Sequence, residues 1–207
     1  MKKWVAPAIF SLAGLAVSLF VYADLPESMA IHFGPGGNPD RFVPRPAGAF
    51  LAPALIWILS ILIVVSPRYR RDESKRRRAE SAQQAILAIV GALLLGMHLF
   101  TLAYNLGYDI NPVKHGSVAV GLMFMLFGNL SPRLAQAGFL RVWPKLSPEA
   151  ERAYGRFQGR LMVGAGFVFI LLAPLPDKIH GPVFFTLLML FILTMYAALF
   201  RYRRKAG

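Results

Sequence analysis

The sequence contains no cysteine, which excludes disulfides and thiolate-ligated metal centres. Acidic residues are scarce, 10 against 23 Lys and Arg, and none lies inside a long apolar run. A continuous intramembrane path for protons or cations ordinarily carries such a carboxylate. Also missing are G-x-S-x-G, H-E-x-x-H and G-x-x-x-x-G-K-[ST], together with any cysteine nucleophile. No catalytic residue is identifiable, a non-enzymatic role is expected, and no cofactor is implied.

What is present is apolar surface. Hydrophobic residues make up 56% of the 207-residue chain, above the roughly 45–50% usual for soluble domains. They gather into six runs, at about 4–23, 47–65, 82–106, 116–130, 161–175 and 182–200. A bilayer crossing takes about 17–25 residues, so the first, second, third and sixth runs suffice alone. The fourth and fifth need their polar flanks, with Lys114 and Arg160 reaching to the interface. The expected fold is all-α, one polytopic membrane domain over 1–207 with six transmembrane helices.

Charge supports six crossings. With the N-terminus inside, 19 of the 23 basic residues fall on the inner side, leaving Arg41, Arg45, Lys114 and Lys178 outside. Without crossings four and five, the basic residues from Arg133 to Arg160 would lie outside, against the positive-inside rule. The expected location is the bacterial cytoplasmic membrane, with both termini cytoplasmic. Lys2, Lys3 and the stretch up to Ala23 imitate a signal peptide, but the apolar run exceeds the 7–15 residues of a signal core. Retention as a transmembrane helix is expected.

The loop 24–46 is the one sizeable outer segment. Its Gly34–Pro39 cluster reads as a turn flanked by extended pieces, a small hairpin on the outer face. On the inner side, loops 66–81 and 131–159 are basic. The first is a dense charge run expected to be mobile. In the second, Ser147-Pro148-Glu149 reads as a helix start, and Arg152, Arg156 and Arg160 form a stripe at four-residue spacing. No internal repeat is evident.

Leu25-Pro26, Ile31-His32-Phe33, Gly37 and Pro39-Asp40-Arg41 resemble the short extracytoplasmic motif L-P-x-x-x-x-I-H-F…G-x-P-D-R that precedes the core of SdpI-type bacterial membrane proteins. Gly128-Asn129 with Pro132-Arg133 is similar to that family's G-N-x-x-P-[KR], and the Leu146-Ser147…Glu149 start with Gly159 fits the family's next segment. Two stretches depart. Gln136–Lys145 is shorter than the family's equivalent, with Arg141 and Trp143 the candidate matches, and Ala153, Tyr154 and Gly155 stand where the family has Trp and His. The resemblance implies immunity to, or sensing of, a membrane-active peptide toxin, with a cytoplasmic regulator as a possible second partner.

If so, the outer loop is the surface that meets the toxin, with His32, Asp40 and Arg41 as its polar candidates; the plain alternative is that Asp40 and Arg41 brace the turn. His32, His115 and His180 each share an outer loop with an Asp, a weak pattern for a metal, since no ligand spacing is fixed. His98, Thr101 and Asn105 fall on one face of the third run. They read either as interhelical hydrogen-bonding groups or, under the alternative function of a small-solute or ion carrier, as a polar track. The Arg70–Arg78 run lacks the aromatic interleaving of a nucleic-acid module. Membrane lipid is its expected partner, as for the Arg152 stripe, and direct nucleic-acid binding is not expected.

Overall fold

The computed structural model describes residues 4–34, 36–65, 73–136 and 146–204. Residues 66–72 of the expected loop 66–81 and the candidate family matches Arg141 and Trp143 lie outside the described residues. Among the described residues there are six helices and one hairpin: α1 (Val5–Val21), β1 (Ser28–Phe33), β2 (Pro39–Pro44), α2 (Arg45–Val65), α3 (Glu73–Asn105), α4 (Pro112–Gln136), α5 (Pro148–Leu171) and α6 (Asp177–Arg204). A single 3-10 turn, Tyr22–Asp24, extends α1.

The chain is an all-α membrane protein. Helices at Val5–Asp24, Arg45–Val65, Glu80–Asn105, Pro112–Ala135 and Asp177–Arg203 are long and apolar enough to cross a bilayer. Large apolar side chains such as Phe20, Leu62, Leu193 and Tyr196 stand exposed on their outer faces, where lipid replaces water as solvent. Helix α5 differs. Glu149, Glu151, Arg152, Arg156 and Arg160 lie before its apolar part, which begins only at Leu161.

Several boundaries depart from the apolar runs for local reasons. The basic run expected to be mobile is partly helical, because α3 already begins at Glu73. Helix α4 starts at Pro112, with Asn111 Oδ1 accepting from Val113 N at 3.1 Å and Lys114 N at 3.2 Å, an Asx cap ahead of an N1 proline. Helix α5 ends at Leu171, short of Leu175, as Pro174 and Pro176 remove donors and restrict the residues before them. Its start follows the sequence reading: Ser147 Oγ accepts from Ala150 N at 3.3 Å.

Helices α1, α2 and α3 pack together through polar bonds to carbonyls. Pro53 has no N–H for the Ala49 carbonyl four residues earlier. Ser18 Oγ fills that gap, donating to Ala49 O at 2.6 Å, and Ser11 Oγ donates to Pro53 O at 3.0 Å. Helices α4 and α5 instead meet antiparallel at glycines. A Cβ on Gly166 would stand 2.5 Å from the Gly121 carbonyl oxygen, and one on Gly159 2.5 Å from that of Gly128. Such backbone contact is the small-residue mode of membrane helix packing. Phe124, Phe169, Phe184 and Phe191 then tie α6 to this pair, with Phe124–Phe191 centroids 4.8 Å apart.

Candidate functional site: the hairpin and the cavity beside it

The hairpin is antiparallel, with Ser28 opposite Pro44 and Phe33 opposite Pro39, and is irregular around His32. The start of β1 is inserted among the helices, with consecutive Met29 and Ala30 both buried. Leu25 and Met29 are fully buried with Ala49 and Leu102, and the bare Gly48 admits Met29: a Cβ there would lie 2.6 Å from its Sδ. Asn105 grips the next residue. Its Oδ1 accepts from Ala30 N at 2.8 Å and its Nδ2 donates to Ala30 O at 2.9 Å, so the amide acts as an extra strand on β1. Phe33 packs edge-on against Tyr104, 4.6 Å between centroids. Arg45 N donates to Glu27 O at 2.8 Å and closes the base.

At the tip, Gly37 takes φ +79°, a left-handed conformation suited to glycine, and its place for a Cβ lies 3.1 Å from Val113 at the start of α4. His32 Nδ1 and Asp40 Oδ1 are 2.5 Å apart on the exposed side. With Asp40 ionised, Nδ1–H donates and Nε2 is left as an acceptor. Arg41 is exposed and has no side-chain partner among the described residues. All three candidates are exposed on the hairpin, His32 and Asp40 as a bonded pair and Arg41 opposite His32 in the strand register.

Below the tip, β1, α4 and α6 enclose a cavity of about 350 Å³, lined among others by His32, Phe33, Ser117, Val120, His180 and Phe184. His180 is 0% exposed, and neither ring nitrogen has a hydrogen-bond partner among the described residues. Lys114 Nζ and Asp177 Oδ1, 3.5 Å apart, join the helix starts nearby. His115 turns away, its Nδ1 2.8 Å from the Asn111 carbonyl of its own helix start. Of the three histidines weighed for a metal, two share the cavity and the third does not. Among the described residues no group of three His, Asp or Glu is placed to hold an ion.

The face of α3 does not form an open polar row. His98 is 3% exposed, with Nε2 2.7 Å from Ser18 Oγ. That hydroxyl has given its proton to Ala49, so the imidazole N–H must be on Nε2. Thr101 Oγ1 donates to Met97 O at 2.9 Å, and Asn105 is engaged by Ala30 and by Thr101 O. Each of these polar groups is taken up by a different neighbour.

The second motif lies at the far end of α4. Pro132 deprives the Gly128 carbonyl of its usual donor, and that carbonyl faces the bare backbone of Gly159. The G-N-x-x-P pattern is thus a packing device. Asn129 and Arg133 remain exposed beside it. A groove of about 330 Å³ there is bordered by Asn129, Arg156 and Arg160.

Residues 9–57, covering most of α1, the hairpin and more than half of α2, match the family described as a domain of unknown function, DUF1648. Over 211 aligned residues, 99% of this chain and 98% of the other, the chain is 23% identical to the immunity protein SdpI of Bacillus subtilis (strain 168). The chain is SdpI-like. An uncharacterized protein of Archaeoglobus fulgidus is 46% identical over 50 residues, 21% of this chain and 27% of its own. No solved structure matches the SdpI-like chain.

Sequence reasoning placed His180 only among weak metal candidates and omitted Ser117. The available signal was position: both sit within the first two turns of helices whose starts lie beside the hairpin.

Proposed function

We propose that this SdpI-like protein gives immunity to a membrane-active peptide toxin, or senses it, through the hairpin face. The observation that carries the reading is the fixed presentation of His32, Asp40 and Arg41: a two-stranded hairpin alone is marginal in water, and here it is held by Met29, Asn105 and Phe33. The full-length similarity to an immunity protein supports the same reading. In it, all six helices cross the bacterial cytoplasmic membrane, both termini are cytoplasmic, and the hairpin faces outward. The basic residues at the opposite end of the bundle then meet anionic lipid, and a cytoplasmic regulator would dock there.

The test is survival of a sensitive bacterium expressing the chain during challenge with pore-forming peptides. Wild type protects, and His32→Ala or Asp40→Ala at equal membrane abundance lose protection. Failure of wild type to protect against any such peptide would refute the immunity form of the proposal.

A further inference from the structure

Helix α5 carries two guanidinium groups beyond the point where its carboxylates end. Arg152 lies 3.4 Å from Glu149, whereas Arg156 and Arg160 are exposed and have no side-chain partner among the described residues. Four-residue spacing puts both on one face of α5, and Val163 continues that face. On α4, Asn129 is also exposed, its amide equally without a partner among the described residues. These four side chains border the groove of about 330 Å³ at the far end of α4. Between them lie Gly128 and Gly159, whose bare backbones meet and leave a hollow in place of a side-chain wall. No carboxylate is among the described residues that line it.

Two unpaired guanidinium groups select an anion, and a phosphate group offers oxygens to both of them and to the Asn129 amide. A bare halide would meet the charge and leave most of the hollow empty. An acidic protein surface would meet the exposed arginines but has no use for the apolar side of the groove. Position names the source of the phosphate. The apolar part of α5 begins at Leu161, directly after Arg160, and α4 beside it is long and apolar enough to cross a bilayer. The groove therefore straddles the boundary, with Val163 on the apolar side and Arg156 on the polar side, at the depth of phospholipid headgroups.

We propose that this groove is a discrete site for one phospholipid, its phosphate held by Arg156 and Arg160 of α5 and by Asn129 of α4, its acyl chains running past Val163. The lipid bridges the two helices beside their glycine crossing, which the diffuse attraction of basic residues to an anionic surface would not do. The inference rests on the reading in which α5 crosses the membrane, and it is independent of peptide immunity.

The experiment titrates the full chain in detergent with phosphatidylglycerol and counts bound lipid by native mass spectrometry. One molecule should bind wild type saturably, and Arg156→Gln/Arg160→Gln should abolish that phase. Asn129→Asp and Arg133→Gln each make the charge at this end more negative by one, but Arg133, exposed nearby, does not line the groove. Asn129→Asp should weaken binding about tenfold or more, and Arg133→Gln should leave it within about twofold. Diacylglycerol, which has the chains without the phosphate, should not bind saturably. Equal weakening by the two charge-matched variants would mean diffuse attraction and would overturn the proposal. So would saturable binding of diacylglycerol, or tighter binding of glycerol 3-phosphate or of an oligoglutamate peptide than of the lipid. Gly164→Cys reports separately on α5: Gly164 is exposed with open space around it, so in nanodiscs lipid should shield this cysteine from a water-soluble maleimide. Ready labelling would remove the α5 crossing and the lipid site with it, whereas shielding without saturable lipid would remove the site alone.

Discussion

The two halves of the bundle are held by different chemistry. Helices α1–α3 and the hairpin are joined by side chains bonding to backbone or to one another: Ser11 and Ser18 to α2, His98 to Ser18, Asn105 to Ala30. Helices α4 and α5 are joined by removing side chains, with Gly121 against Gly166 and Gly128 against Gly159. The difference teaches where change is tolerated. A glycine crossing has no give, because the obstacle is backbone. Polar ties can be cut singly, and each cut is local. The half that carries the hairpin is thus built from separable bonds, and the other is a close-packed pair of helices in backbone contact.

The largest effect should come from the close-packed pair. Gly166→Leu forces side-chain atoms where a Cβ would already be 2.5 Å from the Gly121 oxygen, and overpacking of this kind costs about 1–3 kcal/mol or more. The thermal unfolding midpoint in nanodiscs should fall sharply. Gly164→Leu, two residues away with open space around it, should unfold near wild type. Equal behaviour of the two would rule out the close crossing as the source of rigidity.

Next comes Asn105→Leu, which strands the N–H and C=O of Ala30 at about 1–3 kcal/mol each. Hydrogen exchange at Ala30 should rise while α4 and α5 stay protected. Exchange rising equally in both halves would mean that they are not separable. Ser18→Ala ranks lower, on the order of 0.6–2 kcal/mol. Its cost should shrink in a Pro53→Ala background, where an intrahelical N–H is restored to Ala49; a double-mutant cycle by chemical unfolding reads that coupling. Asp40→Asn should be smallest for stability, under about 1 kcal/mol, because its contact with His32 is exposed.

The same contrast separates what the sequence revealed from what it hid. The hairpin was legible because Gly34–Pro39 is turn chemistry between extended pieces, and the α5 start because Ser147-Pro148-Glu149 is cap chemistry. Features that join distant segments were not. Helical periodicity put His98, Thr101 and Asn105 on one face, but nothing in a helical period names Ala30, 75 residues away, as the partner of Asn105. The seven-residue spacings Gly121–Gly128 and Gly159–Gly166 stand in the sequence, yet their meeting depends on which helices pack. Gly128-Asn129-x-x-Pro132 was legible as a pattern, and only the facing Gly159 explains it. The isolation of the His180 nitrogens is likewise a property of the fold.

On the proposed reading, function resides at the hairpin end of the bundle. The decisive measurement is membrane potential in a sensitive bacterium during peptide challenge, comparing Asp40→Asn with Arg156→Ala/Arg160→Ala at matched membrane abundance. We predict depolarisation in Asp40→Asn despite its near-wild-type stability, and retained potential in the double arginine variant. The reverse pattern, potential held without Asp40 and lost without the arginines, would contradict that claim.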